Sequence, residues 1–496
     1  MVVARRHWGR GALAGLLALA ACSNGDAVAP TTPPPTPSPS TSAPATSAAP
    51  VTTPVAPATT ALPVDTGELG ILDAALTPAG TIDLDAALAL VAAGYRPLPG
   101  VTAAPTPLVD GGPALRTVLA DVAELTPEQQ TAVAAIAAPP GIPLDAAATS
   151  PSPLLAGAAA TVTRSLAAFG RAATDVPISL VELPYDNGDG THNFSSPGAL
   201  ATAELRRDGE DVECRLRVDT AAQPGDPAFA AAVARETFHC GQYARAAAIE
   251  DVPVWVVDGA AAYAADLVAG PTAVTAAAWQ RWVGQPQRPL TARVTDAVGF
   301  FALVDEVADP FAFADALLGD PSADSVRRRL ELTDLFDRWG REYATQPAWD
   351  GGFAFAAPGA AGLQAPQTPV TLAVDGPPVA LGGREDLSAI PYTVTAPGDV
   401  LVVTAAPGDR GVIRFANGQH TLLAQATQSL CLAPGGCACP GVAPDALSIG
   451  EAGGADVFVG VGPSSGPGPT LAARSLPRWC QEVAVPPPAD AVDPCL

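Results

Sequence analysis

The chain of 496 residues carries 50 acidic residues against 26 basic ones, a formal net charge of −24, and every basic residue is arginine. An acidic chain without basic clusters excludes nucleic acid and anionic lipid as expected partners, and the lack of lysine excludes a Walker-type phosphate loop. Beyond the first 65 residues about 430 remain, enough for two or three domains.

Arg5, Arg6 and Arg10 precede an apolar run from Ala12 through Leu19, and "LAAC" closes on Cys22. A basic front, an apolar run too short to span a bilayer and small residues before a cut read as an export signal over residues 1–21. The cysteine resembles that of the lipobox in bacterial lipoproteins. This implies lipidation of Cys22, a mature N-terminus there, and a tether on the extracytoplasmic face of a bacterial membrane. Residues 22–65, with "TTPPPTPSPSTSAPATSAAP", have almost nothing to bury and read as a disordered, lipid-anchored stalk. No later stretch is long and apolar enough to cross a membrane.

From 66 to 145 the pattern is helical: "DLDAALALVAAGY" and "TPEQQTAVAAIAA" place apolar residues at helical spacing behind capping residues. In the region 146–362, "LLAGAAATVTRSLAAFG" reads as a helix. Three candidate strands follow, "VPISLVEL", "ALATAELRR" and "DVECRLRVD", and then a helix-rich half. Asp226 and Pro227 open the first of these later helices as cap and first-turn proline. Strands followed by helices predict an α+β domain. From 368 to 496 short β-rich runs broken by Gly, Pro and Asp predict a small β-sandwich or barrel containing cysteines. Besides Cys22 there are Cys214, Cys240, Cys431, Cys437, Cys439, Cys480 and Cys495. Outside the cytoplasm these are expected to form disulfides, with Cys495 the one left over.

Chemistry concentrates in "AVARETFHCGQYARAAAIEDVPVWVVDGAAAYAADL", which begins at Ala232. Positions i and i+4 of a helix share a face. Two histidines at that spacing can hold one zinc while the glutamate between them reaches its bound water as general base. Arg235, Glu236 and His239 occupy such a pattern, and "WVVDGAAAY" supplies Trp255, Asp258, Gly259 and Tyr263 in the context of a third ligand. Together with "VECRLRVD" before and "RVTDAVGFFALV" after, the stretch resembles the gluzincin-type metallopeptidase domain of bacterial secreted or lipid-anchored proteins, over about 180–350. The resemblance implies a gluzincin-like helical domain preceded by a small β-sheet, a Cys214–Cys240 bridge, Glu236 as vestigial base, and His239 and Asp258 as vestigial ligands. Trp255 and Tyr263 become packing residues near the site.

The departures fall on the ligands. Asp258 stands where a glutamate would and is a competent ligand one methylene shorter. Arg235 stands at the first histidine and, being always protonated, offers no lone pair to a metal. It either pairs with Asp258 or Glu236, in place of the metal's charge, or points to solvent. His192 in "DNGDGTHNF" and His420 in "FANGQH" read as turn residues, and "GPSSG" at 462–466 lacks the strand and helix that a nucleophile elbow needs.

The expected function is therefore a cell-envelope lipoprotein whose peptidase-like domain has lost catalysis and serves as a binding or structural module. Its partners would be the membrane, through Cys22, and a peptide, protein or envelope component. The alternative is an active extracytoplasmic metal-dependent peptidase or hydrolase with a rebuilt site. No cofactor is expected under the first reading, and zinc only under the second.

Overall fold

The computed structural model describes residues 68–484 except for short internal stretches, of which 332–338, 340–357 and 440–455 are the longest. Cys22, the stalk, the "GPSSG" loop and Cys495 lie outside the described residues. Helix and sheet are mixed in an α+β arrangement. Among the described residues no helix is long and apolar enough to cross a membrane.

Four helices lead in: α1 (Glu68–Ala75), α2 (Leu84–Gly94), α3 (Gly112–Ala120) and α4 (Pro127–Ala134). Their starts are fixed locally. Asp83 accepts from the Ala86 amide, and Thr126 and Gln129 form a reciprocal capping box. Leu88, Val91, Leu115 and Val118 build their core, which also takes in Val254 and Val294 from the following region. The lead-in is thus packed onto the helices that carry the candidate site.

A four-stranded sheet follows in the order β1 (Ile142–Pro143), β2 (Ile178–Leu183), β6 (Asp211–Asp219), β5 (Ala201–Asp208). β2 and β6 run parallel, and β5 is antiparallel to β6 at the sheet's edge. The hairpin of β3 (Tyr185–Asp186) and β4 (His192–Asn193) places His192 on a strand opposite Asp186 instead of in a turn. α5 (Leu144–Ala148) and α6 (Pro153–Phe169) share an apolar core with this sheet and with Phe229, Val233 and Cys240 of the next helix. β1 and the start of α5 fall in the last residues of the 66–145 segment but pack with the sheet that follows it.

That next helix, α7 (Pro227–Arg245), opens on Asp226, whose carboxylate accepts from the Ala228 amide, with Pro227 in the first turn. From Val233 to Tyr243 every residue is buried, and the same holds for α8 (Val254–Ala269) from Val254 to Asp266. Helices buried on all sides form the centre of a domain. Gly259 lets the segment 295–297 close onto α8: a Cβ there would lie 2.6 Å from the Cβ of Ala297. Around this pair stand α9 (Ala273–Gly284), α10 (Val298–Asp305), α11 (Pro310–Gly319) and α12 (Ala323–Glu331), with Trp255, Trp282, Phe300 and Phe301 in their core.

The C-terminal part is a sandwich of two sheets. One has the order β13 (Thr427–Cys431), β10 (Val400–Thr404), β15 (Thr470–Arg474), β8 (Val379–Ala380). The other has β12 (His420–Leu422), β11 (Gly411–Phe415), β14 (Asp456–Val461), β9 (Ile390–Thr395), β7 (Thr368–Thr371). Leu401, Val403 and Leu471 of one sheet meet Val394, Ile413 and Phe415 of the other in one apolar core. The chain then turns helical in α13 (Leu476–Ala484), which the short β pattern of this region does not announce. Trp479 of α13 is buried against Val400 and donates to Ser429 Oγ at 3.0 Å.

Three disulfides close the described cysteines: Cys214–Cys240, Cys431–Cys437 and Cys439–Cys480. The first ties β6 to α7 one residue past His239.

Candidate functional site

Arg235 and His239, one helical turn apart on α7, face Asp258 on α8. Arg235 Nη2 lies 2.6 Å from Asp258 Oδ1, and its Nη1 lies 3.5 Å from Glu236 Oε1. Both acids and His239 are almost wholly buried, and Arg235 is only 7% exposed. The arginine therefore turns inward onto the acids and not toward solvent.

His239 is oriented by its own helix. Gln242, three residues on, donates from Nε2 to the Val257 carbonyl at 3.0 Å, so its Oε1 faces His239 Nδ1 at 2.8 Å. That amide orientation makes Nδ1 the nitrogen carrying hydrogen. Nε2 then points at Asp258, 3.5 Å from the same Oδ1 that Arg235 holds. The imidazole also stacks on Tyr243, ring centroids 5.3 Å apart.

A second cation completes the cluster, and it comes from outside the two motif helices. Arg116 of α3 places Nη2 3.1 Å from Asp258 Oδ2 and donates from Nη1 to the Tyr243 hydroxyl at 3.1 Å. Each oxygen of Asp258 thus has its own guanidinium. Two arginines face two carboxylates, and the buried charges balance.

Protonation follows from this packing. Burial alone would raise the Asp258 carboxyl, but the Arg116 charge and then the Arg235 charge outweigh it and hold the group well below the usual carboxylate range. Burial pushes the Tyr243 phenol up to about 12, against the lowering influence of Arg116. Burial opposes the Arg116 charge, yet Tyr243 and Asp258 more than offset it and raise that guanidinium further.

A cleft of about 290 Å³ lies beside the cluster, between α3, β5 and the end of α7. Leu115, Leu119, Leu205 and Ile249 line it together with Arg116 and Tyr243, whereas Arg235, Glu236, His239 and Asp258 do not. The charge cluster meets the cleft only through its outer members.

The remaining sequence-expected residues support this arrangement from behind. Trp255 packs edge-on to Phe300 and stacks on Phe301, and Tyr263 donates to Asp305 Oδ2 at 2.7 Å. His420 opens strand β12 of the sandwich, paired with Arg414 of β11, and is not the turn residue expected from its sequence. Sequence reasoning missed Arg116, Gln242 and Tyr243. The last two stand three and four residues after His239, a spacing that marks them as neighbours of its ring.

A zinc ion would need three donor atoms converging on an open position. Here His239 Nε2 and Asp258 Oδ1 converge, but Arg235 Nη2 stands 2.6 Å from that oxygen. A unit positive charge about 4 Å from a dication costs about 8 kcal/mol at an effective dielectric near 20. That is comparable with the roughly 10 to 16 kcal/mol that holds zinc in complete four-ligand sites. Among the described residues no group of three or more His, Cys, Asp or Glu is arranged to hold a metal. The residues present do not fit a zinc ion. No protein-family model, curated protein or solved structure matches the chain.

Proposed function

We propose that the protein is a lipid-anchored, extracytoplasmic binding or structural protein built on a gluzincin-like domain that has lost metal-dependent catalysis. The observation that carries this reading is the position of Arg235. Its guanidinium is ion-paired with Asp258 and Glu236, at the place where the resemblance would put a metal between ligand and base. A general base must lie within hydrogen-bond reach of the water it activates, and here the guanidinium of Arg235 stands at the Glu236 carboxylate, 3.5 Å from Oε1. Three disulfides support an oxidising compartment, in agreement with the export signal and Cys22. The cleft beside Arg116 and Tyr243, lined by apolar side chains together with Glu204 and Glu250, is the natural place for a bound group.

The experiment is metal analysis of the purified full chain after zinc loading and dialysis, together with a peptide-cleavage screen using Glu236→Gln as control. The expected result is no stoichiometric zinc and no cleavage that depends on Glu236. Retained zinc, or cleavage abolished by Glu236→Gln, would return the protein to the metallopeptidases.

A further inference from the structure

We infer that Arg116 and Arg235 act together in place of a divalent cation, with Arg116 a positioning residue that holds Asp258, so that two guanidiniums and not one close the site to metal. This deepens the non-catalytic reading and rests on it.

The geometry divides the work. Arg235 takes Asp258 Oδ1 and reaches Glu236, filling the space toward which His239 Nε2 points. Arg116 takes the other oxygen, Oδ2, at 3.1 Å, and is itself steadied by Tyr243 at 3.1 Å. Asp258 is thereby neutralised and oriented from both sides. One positive charge would leave the two buried acids of this cluster uncompensated by one unit, whereas two match them as a divalent ion would. The second cation is also mechanically separate. It enters from α3 in the lead-in, so a change on α7 alone does not remove it.

It follows that restoring a histidine at position 235 is not enough to make a metal site. The i and i+4 nitrogens would be in place, but Arg116 would still hold Asp258 and keep a positive charge beside any ion that Asp258 coordinates. Removing both arginines frees the carboxylate and the space together.

The test compares zinc binding, by equilibrium dialysis and metal analysis, in the unaltered full chain, in Arg235→His, and in Arg235→His combined with Arg116→Met. Near-UV circular dichroism reports whether each retains its packed aromatic core. If the methionine variant loses that signal, Arg116→Gln, which keeps a donor for Tyr243, replaces it in the same comparison. Stoichiometric zinc in the double variant, bound roughly a thousandfold more tightly than by Arg235→His, is the expected result. Equal binding by single and double variants overturns the inference, and so does a folded double variant that binds no zinc. Zinc held by the unaltered chain would overturn the non-catalytic reading as well, whereas the contrast between single and double bears on the two-arginine inference alone.

Discussion

Asp258→Asn keeps the shape of a fully buried side chain and removes the negative charge bonded to Arg235 at 2.6 Å and to Arg116 at 3.1 Å. In the native cluster two guanidiniums face two carboxylates. In the variant Glu236 is the only acid left in it, 3.5 Å from Arg235. Removing one partner of a buried ion pair costs about 3 to 5 kcal/mol, because the remaining charge keeps its desolvation penalty without its counter-ion. Arg235→Met leaves two buried carboxylates to one guanidinium and should cost a similar amount, about 3 to 5 kcal/mol. The double variant has one cation and one anion, so the balance returns. It should exceed Asp258→Asn in stability by about 1 kcal/mol or more while carrying one further substitution. Urea denaturation followed by the fluorescence of buried Trp255, Trp279 and Trp282 reads all four proteins. If the two single losses simply add in the double variant, Arg235 and Asp258 are energetically independent, and the charge-replacement argument fails.

The folded-state value of Asp258 lies below its unfolded one, so its contribution is complete above about pH 4 and is lost as pH falls from there toward the folded value. Stability should therefore drop more steeply below about pH 4 in the native chain than in Asp258→Asn, and parallel slopes would refute the assignment. Tyr243 shows the opposite sign. With its phenol raised to about 12, its contribution is complete below about pH 10 and lost as pH rises through the folded value. A spectrophotometric titration of the native chain minus Tyr243→Phe should show its step near 12, and a step near 10 would contradict the burial of the phenol. Cys240→Ser opens a bridge spanning 26 residues and should cost about 3.5 kcal/mol by loop entropy. Cys437→Ser opens one spanning 6 and should cost about 2, so reversal of that order in urea midpoints would count against the entropic account. Gly259→Ala should lower the melting temperature despite a helix-propensity gain of about 1 kcal/mol, because its Cβ would meet Ala297 at 2.6 Å and the Val294 carbonyl at 3.2 Å. Gly284→Ala, with open space around it, is the control that should not.

The parts of the fold readable in the sequence are those set by local pattern. Asp226 and Pro227 mark the start of α7 to the residue, and the strand runs "VPISLVEL" and "DVECRLRVD" become the parallel pair β2 and β6. The Cys214–Cys240 bridge implied by the resemblance joins that strand to that helix. What was not readable depends on contacts far along the chain. β1 is two residues long and exists only because it pairs with β2, and α13 is a short helix packed through Trp479 and Cys480 onto the sandwich. β1 is too short to show any period, whereas α13 does place Leu476, Trp479, Cys480 and Val483 at helical spacing, a signal that the β-rich reading of 368–496 passed over.

The same division runs through the site. Arg235 is conspicuous against the histidine pattern, and helical spacing ties it to His239, but where its charge goes is decided by α8. Arg116 is 142 residues from Asp258 in the chain and sits in "GPALRTVLA" among apolar neighbours. An arginine in such a helix is ordinarily free to carry its head to solvent along an apolar stem. A sharper reading was nonetheless available from charge alone. If Arg235 is buried with Glu236 and Asp258, the pattern is one positive charge short. A deficit of that kind in a dry interior demands either a protonated acid or another cation. With no lysine in the chain, the second cation had to be an arginine or a histidine, His239 of the motif included, so charge alone does not single out Arg116. Electroneutrality asks the substituted motif for one more positive charge, and only the contacts of α3 show that Arg116 supplies it.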